Sequence, residues 1–503
     1  MLVNRNELKG GMFEYLSNDQ LNMIHMASLE ILENTGVLVY DDEALALLAE
    51  NGAFVDFEKK LAKIPADMVE EAIRTAPSKI TLCGVDGKAE LHLYKNNVYF
   101  GLGTDLPKFA DPYTGKIRET VLADIANVAK VTEQADGIDF IASLGLASDI
   151  PQQIVDLYHL FESRKYCNKP NWTTATNYGN MKAIIDMAAI SAGGYDELRR
   201  RPTIGVYNEP VSPLTYSMEA VQKLMLCAEY CIPTTWASGI IAGATGPMTL
   251  AGTLALGNAE GLGGLVIHQL KRKGAPFIYG NVASVLDMKT AVNCYGGPEL
   301  PMMHAVVGQL GRFYDIPTYG TGGCTDANTV DAQAGLEAMC SNMLAAFGGT
   351  NLTHDNGYLG AGLIGSLEMI LLDSEIASYI KRITDGIEVT EETLCLDLIH
   401  EVGPGGAFIT QKHTMKNFKK ESFIPSFLNR KRSQAWLDSG GKTLENILNE
   451  KVREIIEADT PVLLSPEVME QYAAVIERRK KEIDENKLHK QDFYKSFEKV
   501  SVV

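Results

Sequence analysis

The sequence predicts an α/β protein: a (β/α)8 TIM barrel with helical N-terminal and C-terminal extensions. Three observations predict it. Between residues 98 and 385, short β-rich runs alternate with helical patterns, eight of each, which is the count and length of such a barrel. The runs end in clusters of glycine, acid, amide, His or Tyr, where parallel α/β enzymes place their chemistry. The rival doubly wound sheet needs a GxGxxG fingerprint after its first strand, and Gly101-Leu102-Gly103-Thr104-Asp105-Leu106 lacks the third glycine.

In chain order, residues 1–97 read as a helical and hairpin extension packed on the barrel, structural or oligomeric in role. Ser17-Asn18-Asp19 caps a helix whose Leu21, Ile24, Ile31 and Leu32 form one apolar stripe, with Gly36 ending it. Helices at 41–50 and 65–75 follow, then a hairpin of Ile80-Thr81-Leu82 and Leu91-His92-Leu93 around Asp86-Gly87. Barrel strands are expected at 98–100, 138–141, 171–175, 203–207, 234–237, 277–279, 316–319 and 350–353. The helices are expected at 122–135, 154–165, 180–192, 217–231, 249–273, 299–314, 330–347 and 367–384. Residues 386–503 read as a helical extension: a helix at 390–399, the irregular loop Gly403-Pro404-Gly405-Gly406-Ala407-Phe408, and helices near 441–457 and 465–485. Its lysine-rich end, Arg478 to Lys499, is expected to be exposed.

Composition narrows the function. A net charge of −18 disfavours nucleic acid and anionic membranes as partners. The start, Met1-Leu2-Val3-Asn4-Arg5-Asn6, lacks an apolar signal segment, and eight cysteines scattered without CxxC suit free thiols in a reducing cytoplasm.

In a barrel the strand ends converge on one pocket. They bring there Gly101, Gly103, Ser143, Asn177, Asn208, Glu209, Ser238, Gly280, Asn281, Asp326, His354, Asp355 and Asn356. No lysine ends a strand, which argues against Schiff-base chemistry. No clustered His/Cys ligand set appears, and adjacent His354 and Asp355 are expected on opposite strand faces, so no metal site is expected. Tyr99, Phe100, Tyr207, Tyr279, Tyr319 and Tyr358 add aromatic faces. An aromatic, acidic cavity suits a cation with no N–H to donate.

Three segments then carry a resemblance. They are Tyr207-Asn208-Glu209-Pro210-Val211-Ser212-Pro213-Leu214, Tyr319-Gly320-Thr321-Gly322-Gly323-Cys324-Thr325-Asp326-Ala327-Asn328 with Val330-Asp331-Ala332-Gln333-Ala334-Gly335, and Val402-Gly403-Pro404-Gly405-Gly406. In this order and spacing the chain resembles the trimethylamine methyltransferase family over nearly its whole length. The resemblance implies a barrel enzyme that passes a methyl group to the Co(I) of a corrinoid on a separate protein, with no cofactor bound in the chain itself. Founding members contain pyrrolysine; all 503 residues here are standard. That departure implies a quaternary amine substrate (glycine betaine, proline betaine, carnitine or butyrobetaine), in one-carbon metabolism of the methanogenic or acetogenic type. A homo-oligomer is implied as well.

No proton moves at the reacting carbon, so no acid or base is required. Asp326, Glu209 and His354 are expected to position the substrate. Tyr99, Phe100, Asn177, Tyr207, Asn208, Asn281, Tyr319, Asp355, Asn356 and Tyr358 are expected to bind it. Backbone N–H groups around Gly246-Pro247-Met248-Thr249 are a further site for a substrate carboxylate. The loop with Gly403, Gly405, Gly406 and Phe408 is expected to face the corrinoid. Two alternatives stay open. One is a barrel enzyme with a phosphate cup of Gly320, Gly322, Gly323, Gly357, Gly360 and Gly362, which Asp326 and Asp355 would oppose. The other is a non-catalytic betaine-binding protein.

Overall fold

The computed structural model describes residues 12–490 of the chain. At its centre lies a sheet of seven strands: β1 (Tyr99–Leu102), β2 (Asn171–Thr173), β3 (Ile204–Val206), β4 (Thr234–Ser238), β5 (Phe277–Asn281), β6 (Thr318–Thr321) and β7 (Leu352–Asn356). Their spatial order is β1-β7-β6-β5-β4-β3-β2, and every neighbouring pair is parallel. Crossover helices connect them, a TIM-barrel-like α/β arrangement.

The expected strand at 138–141 is not a regular strand. It makes single parallel bridges, Phe140 to Gly101 and Ile141 to Asn171, and so touches both edges of the sheet. A side chain interrupts the ladder here: the Asp139 carboxylate accepts the Phe100 N–H at 2.9 Å and the Lys381 ammonium at 2.8 Å.

Helices α1 (Asn18–Glu30), α2 (Asp42–Glu50) and α3 (Ala66–Thr75) precede the sheet. Then come α4 (Leu122–Gln134), α5 (Val155–Tyr166), α6 (Tyr178–Ala192), the short α7 (Tyr195–Arg200), α8 (Met218–Tyr230), α9 (Leu250–Lys271), α10 (Glu299–Tyr314), α11 (Ala332–Gly348) and α12 (Leu367–Thr384). Apart from α7, which the periodicity does not announce, and α1, whose expected continuation to Gly36 is a π-helical turn at Ile31–Thr35, each matches its expected range to about two residues. Helix α9 is long and apolar enough to cross a membrane, yet 78% of its apolar window is buried inside the protein.

The N-terminal segment contains strands that its sequence does not announce. Val37–Val39 runs parallel to Thr215–Tyr216 and antiparallel to Leu61–Lys63, which pairs with Phe54–Asp56. Three-residue strands are too short to show a period. A buried polar knot joins this segment to α9, α10 and the central sheet: Asn258 Nδ2 donates to Ser28 Oγ and Tyr314 Oη, both at 2.9 Å, and Asn258 Oδ1 accepts from Tyr279 Oη at 2.7 Å.

Beyond α12 the expected helix at 390–399 is broken by Cys395, whose φ is +52°, into α13 (Glu391–Leu394) and α14 (Leu396–Val402). Two unexpected short helices follow, α15 (Lys412–Glu421) and α16 (Ser433–Asp438), then α17 (Leu444–Glu457) and α18 (Pro466–Asp484). The exposed lysine-rich end needs correction within the described residues. Arg479 and Lys490 are buried, because Arg479 donates to Asn180 and Asn177 and Lys490 pairs with Glu43 and Glu229. Residues 491–499 lie outside the described part.

Candidate functional site

The segment after β3 is tied down from behind. Glu260 of α9 is fully buried and accepts from Leu214 N at 2.6 Å, from Ser212 Oγ at 2.7 Å and from the Ser238 hydroxyl. Asn208 Nδ2 donates to Ala220 O at 2.9 Å. So anchored, the segment holds Tyr207 and Glu209 at a cavity of about 570 Å³, where Tyr207 Oη donates to Glu209 Oε2 at 2.5 Å. Asp105, Thr174, Glu219 and Lys223 line the same cavity.

Behind Tyr207 the aromatic wall continues inward. Its ring lies 5.7 Å from Tyr319 and 5.9 Å from His354, and Tyr319 meets His354 edge-on at 4.1 Å and stacks on Trp172 at 5.0 Å. Period-2 alternation along β6 and β7 directs Tyr319 and His354 to this face.

Asp355 breaks the alternation. Its φ is +73°, and the β7–β1 register shifts between Thr353 and Asn356. The expectation that His354 and Asp355 point apart is therefore corrected: the bulge brings His354 Nδ1 to 3.2 Å from Asp355 Oδ1. Gly103 makes room for this, since a Cβ there would sit 2.4 Å from Asp355 Oδ1 and 2.3 Å from Tyr358 Oη.

Burial sets the charges. It pushes the Asp355 carboxyl up to about 8, with the nearby Glu209 carboxylate adding to the rise, while the Thr321 and Tyr358 hydroxyls oppose it. Desolvation at the cavity wall likewise raises Glu209, which stays exposed there, against the Tyr207 hydrogen bond and the Lys223 charge. It holds His354 well below the usual histidine range, with His304 contributing, so the imidazole is neutral. Near neutral pH the buried cluster behind Tyr207 is thus electron-rich without a full set of fixed negative charges.

The remaining candidates are placed as follows. Tyr358 is buried beside Asp355 and donates to Thr104 O at 2.6 Å. Asp326 stands one layer back, accepting from Tyr295 N at 2.8 Å and Cys294 Sγ at 3.1 Å, and its charge is felt by Tyr295 together with those of Asp355 and Glu209. Asn177 caps α6 and accepts from Asn180 N and Arg479, both at 3.0 Å. Asn281 packs on α9, where a Cβ on Gly257 would lie 2.2 Å from its Nδ2. Asn356 is held in the wall, donating to Gly101 O at 2.8 Å and accepting from Asn342 Nδ2 at 2.9 Å. Tyr99 accepts from His92 N of the hairpin at 3.1 Å, and Phe100 packs under the Lys381 ammonium, 5.7 Å from its ring centre.

The structure therefore gathers Tyr207, Glu209, Tyr319, His354, Asp355 and Tyr358, directs Tyr99, Phe100, Asn177 and Asn356 to other contacts, and leaves the buried Asn281 amide without a hydrogen-bond partner among the described residues. Gly403, Gly405, Gly406 and Phe408 lie on an open loop, with Phe408 44% exposed and the described hydrogen bonds kept within residues 399–414. Gly320, Gly322 and Gly323 face His304, Thr353 and Asn356 at distances a Cβ would violate, so their backbones pack against side chains. Among the described residues no group of three or more His, Cys, Asp or Glu is placed to hold a metal ion.

Sequence reasoning missed Tyr295, Trp172, Asp105 and Lys223. Asp105 directly follows a candidate strand end and was open to inspection. Lys223 sits mid-helix, where a lysine reads as solvated, and nothing local marks it.

A family model described as trimethylamine methyltransferase (MTTB) matches residues 4–484. The chain is 34% identical over 469 residues to the trimethylamine methyltransferase MttB of Desulfitobacterium hafniense, covering 93% of this chain and 94% of that protein. It is 32% identical over 475 residues to a glycine betaine methyltransferase of Desulfitobacterium hafniense strain Y51, covering 94% and 98%. The crystal structure of the Methanosarcina barkeri monomethylamine methyltransferase (MtmB) superposes with a TM-score of 0.54 at 13% identity, covering 94% of this chain and 89% of that one. That last likeness concerns the fold alone.

Proposed function

The chain belongs to the trimethylamine methyltransferase family, and from that premise we propose that this methyltransferase demethylates a quaternary amine of the betaine class. The observation that carries the reading is the cluster of Tyr207, Tyr319 and neutral His354 behind the cavity, with the Glu209 carboxyl beside Tyr207 and the Asp355 carboxyl beside His354. Three π faces and two carboxyls attract a charged nitrogen that has no hydrogen to donate. A relative that is a glycine betaine methyltransferase and the absence of pyrrolysine among the 503 residues support the same class.

The reading takes the sheet as a ring closed through residues 138–141, with the cluster at its carboxyl end. A corrinoid carried by a partner protein would supply the low-valent cobalt that accepts the methyl group. The open 570 Å³ cavity, with Glu209 and Val211 exposed at it, suits a reagent that arrives from outside. The chain's own part is to exclude water from the N-methyl groups and aim one of them outward. Positive charge leaves nitrogen as the C–N bond breaks, so a cage that binds the cation too tightly slows the step. A largely protonated Asp355 and aromatic faces meet that limit better than an ion pair.

A homo-oligomer belongs to the same reading. Exposed Ile387 (87%), Val389 (72%) and Ile409 (79%) support a face covered by another chain. The test is to mix the protein with a reduced corrinoid protein and each of glycine betaine, proline betaine, carnitine, butyrobetaine and trimethylamine, following cobalt absorbance. Methylation by one betaine and not by trimethylamine is expected. Methylation by trimethylamine alone, or by none, would overturn the proposal.

A further inference from the structure

We propose that Lys223 recognises the carboxylate of the zwitterionic substrate and so selects betaines over quaternary amines that lack an acid. The inference rests on the betaine reading and names the group that receives the other end of the molecule.

Lys223 lines the same cavity as Tyr207 and Glu209 and is the sole cation among the described residues that line it. Its ammonium donates to Ala175 O at 2.6 Å, and among the described residues it forms no ion pair. Of the carboxylates at the cavity, Asp105, Asp156, Glu209 and Glu219, the first three already accept hydrogen bonds. Asp156 accepts from Thr176 N at 2.8 Å and from Asn180 Nδ2 at 2.8 Å, and Glu209 accepts from Tyr207. Asp105 accepts from Thr174 Oγ1 at 3.1 Å.

A desolvated ammonium with donors left over is an incomplete site. Burial holds Lys223 below the usual lysine value, and the charges of Asp156, Cys227, Glu209 and Asp105 counter this only in part. An incoming carboxylate supplies the missing partner. The arrangement is polar in the right sense for a zwitterion: aromatic rings and carboxyls on the Tyr207 side, a lone ammonium on α8.

The experiment is a cycle between protein and ligand charge. Glycine betaine and its methyl ester share the trimethylammonium group and differ by one negative charge. Calorimetric binding of both is measured on wild type, Lys223→Met and Lys223→Arg, with thermal melts of each. In wild type the ester is expected to bind about 10- to 100-fold more weakly, the size of a lost charge-assisted hydrogen bond. In Lys223→Met the two ligands should bind within about threefold of each other, and Lys223→Arg should restore part of the preference. An ester penalty that is the same in Lys223→Met as in wild type overturns the assignment while the betaine reading stands. Should Lys223→Met fail to fold, a wild type indifferent to the ester overturns it equally. Wild type that binds neither ligand and demethylates no betaine overturns the betaine reading and this inference together.

Discussion

Asp355 joins the local backbone to the chemistry. An aspartate in the left-handed region is held there by its surroundings, here by the β7 bulge and the space Gly103 leaves. Its folded value of about 8 lies above the unfolded value of about 3.9, so between the two the native state binds more protons. Stability from this group is therefore present at low pH and lost as pH rises through about 8. Asp355→Asn cannot ionise; thermal melts should show wild type losing more Tm than the variant between about pH 5 and pH 8.5. Ligand binding runs the other way: glycine betaine affinity should rise through about pH 8 as the carboxylate forms. Glu209 acts mainly on the bound ground state. Glu209→Gln should raise KM for the betaine about tenfold, or ~1.4 kcal/mol, and change kcat far less, because the charge it attracts is dispersing at the transition state. Steady-state kinetics separate the two.

Among the elements, α9 shows why local rules mislead. Its glycines lower helix propensity, and Gly264→Ala in an isolated helix gains about 1 kcal/mol. In the fold a Cβ at Gly264 would lie 2.3 Å from Trp236 Cδ1, so α9 rides directly on β4. Overpacking of about 1–3 kcal/mol outweighs the gain, and thermal melts should place Gly264→Ala below wild type. The helices that connect the sheet strands were legible because Leu, Ile, Val and Ala recur on their buried sides over ten residues or more. The strands were legible as short apolar runs, but which side chains face the pocket was not. A one-residue bulge at Asp355 reverses the expected direction there, and strand ends offer too few residues to reveal it. Tyr279, for its part, points outward to Asn258.

Across the whole molecule, the C-terminal helix α18 reaches back to the polar start of α6. Arg479 is fully buried, donating to Asn180 Oδ1 at 2.7 Å and Asn177 Oδ1 at 3.0 Å, while Asn180 Nδ2 holds Asp156 at the cavity. Arg479→Ala leaves the buried Asn180 Oδ1 without its donor and Asn177 Oδ1 with only the Asn180 N–H, and should cost about 3 kcal/mol by urea unfolding. It should weaken betaine binding as well, since Asp156 loses its support; a variant destabilised but unchanged in affinity would separate the tail from the site. Nothing in residues 466–484 suggests this role, because an arginine on an amphipathic helix ordinarily faces water.

By itself the sequence determined the α/β alternation, nearly every long helix and the family, and it named as candidates all six residues that the structure gathers, Tyr207, Glu209, Tyr319, His354, Asp355 and Tyr358. These follow from local periodicity and from motifs contiguous in the chain. Only the tertiary structure decided that Asp355 turns inward beside His354, that Asn281 and Asn356 belong to the wall, and that Lys223 enters the cavity from a helix. Those outcomes depend on bulges, on close approach of backbones, and on which buried charge finds a partner, and each is a property of segments far apart in the chain.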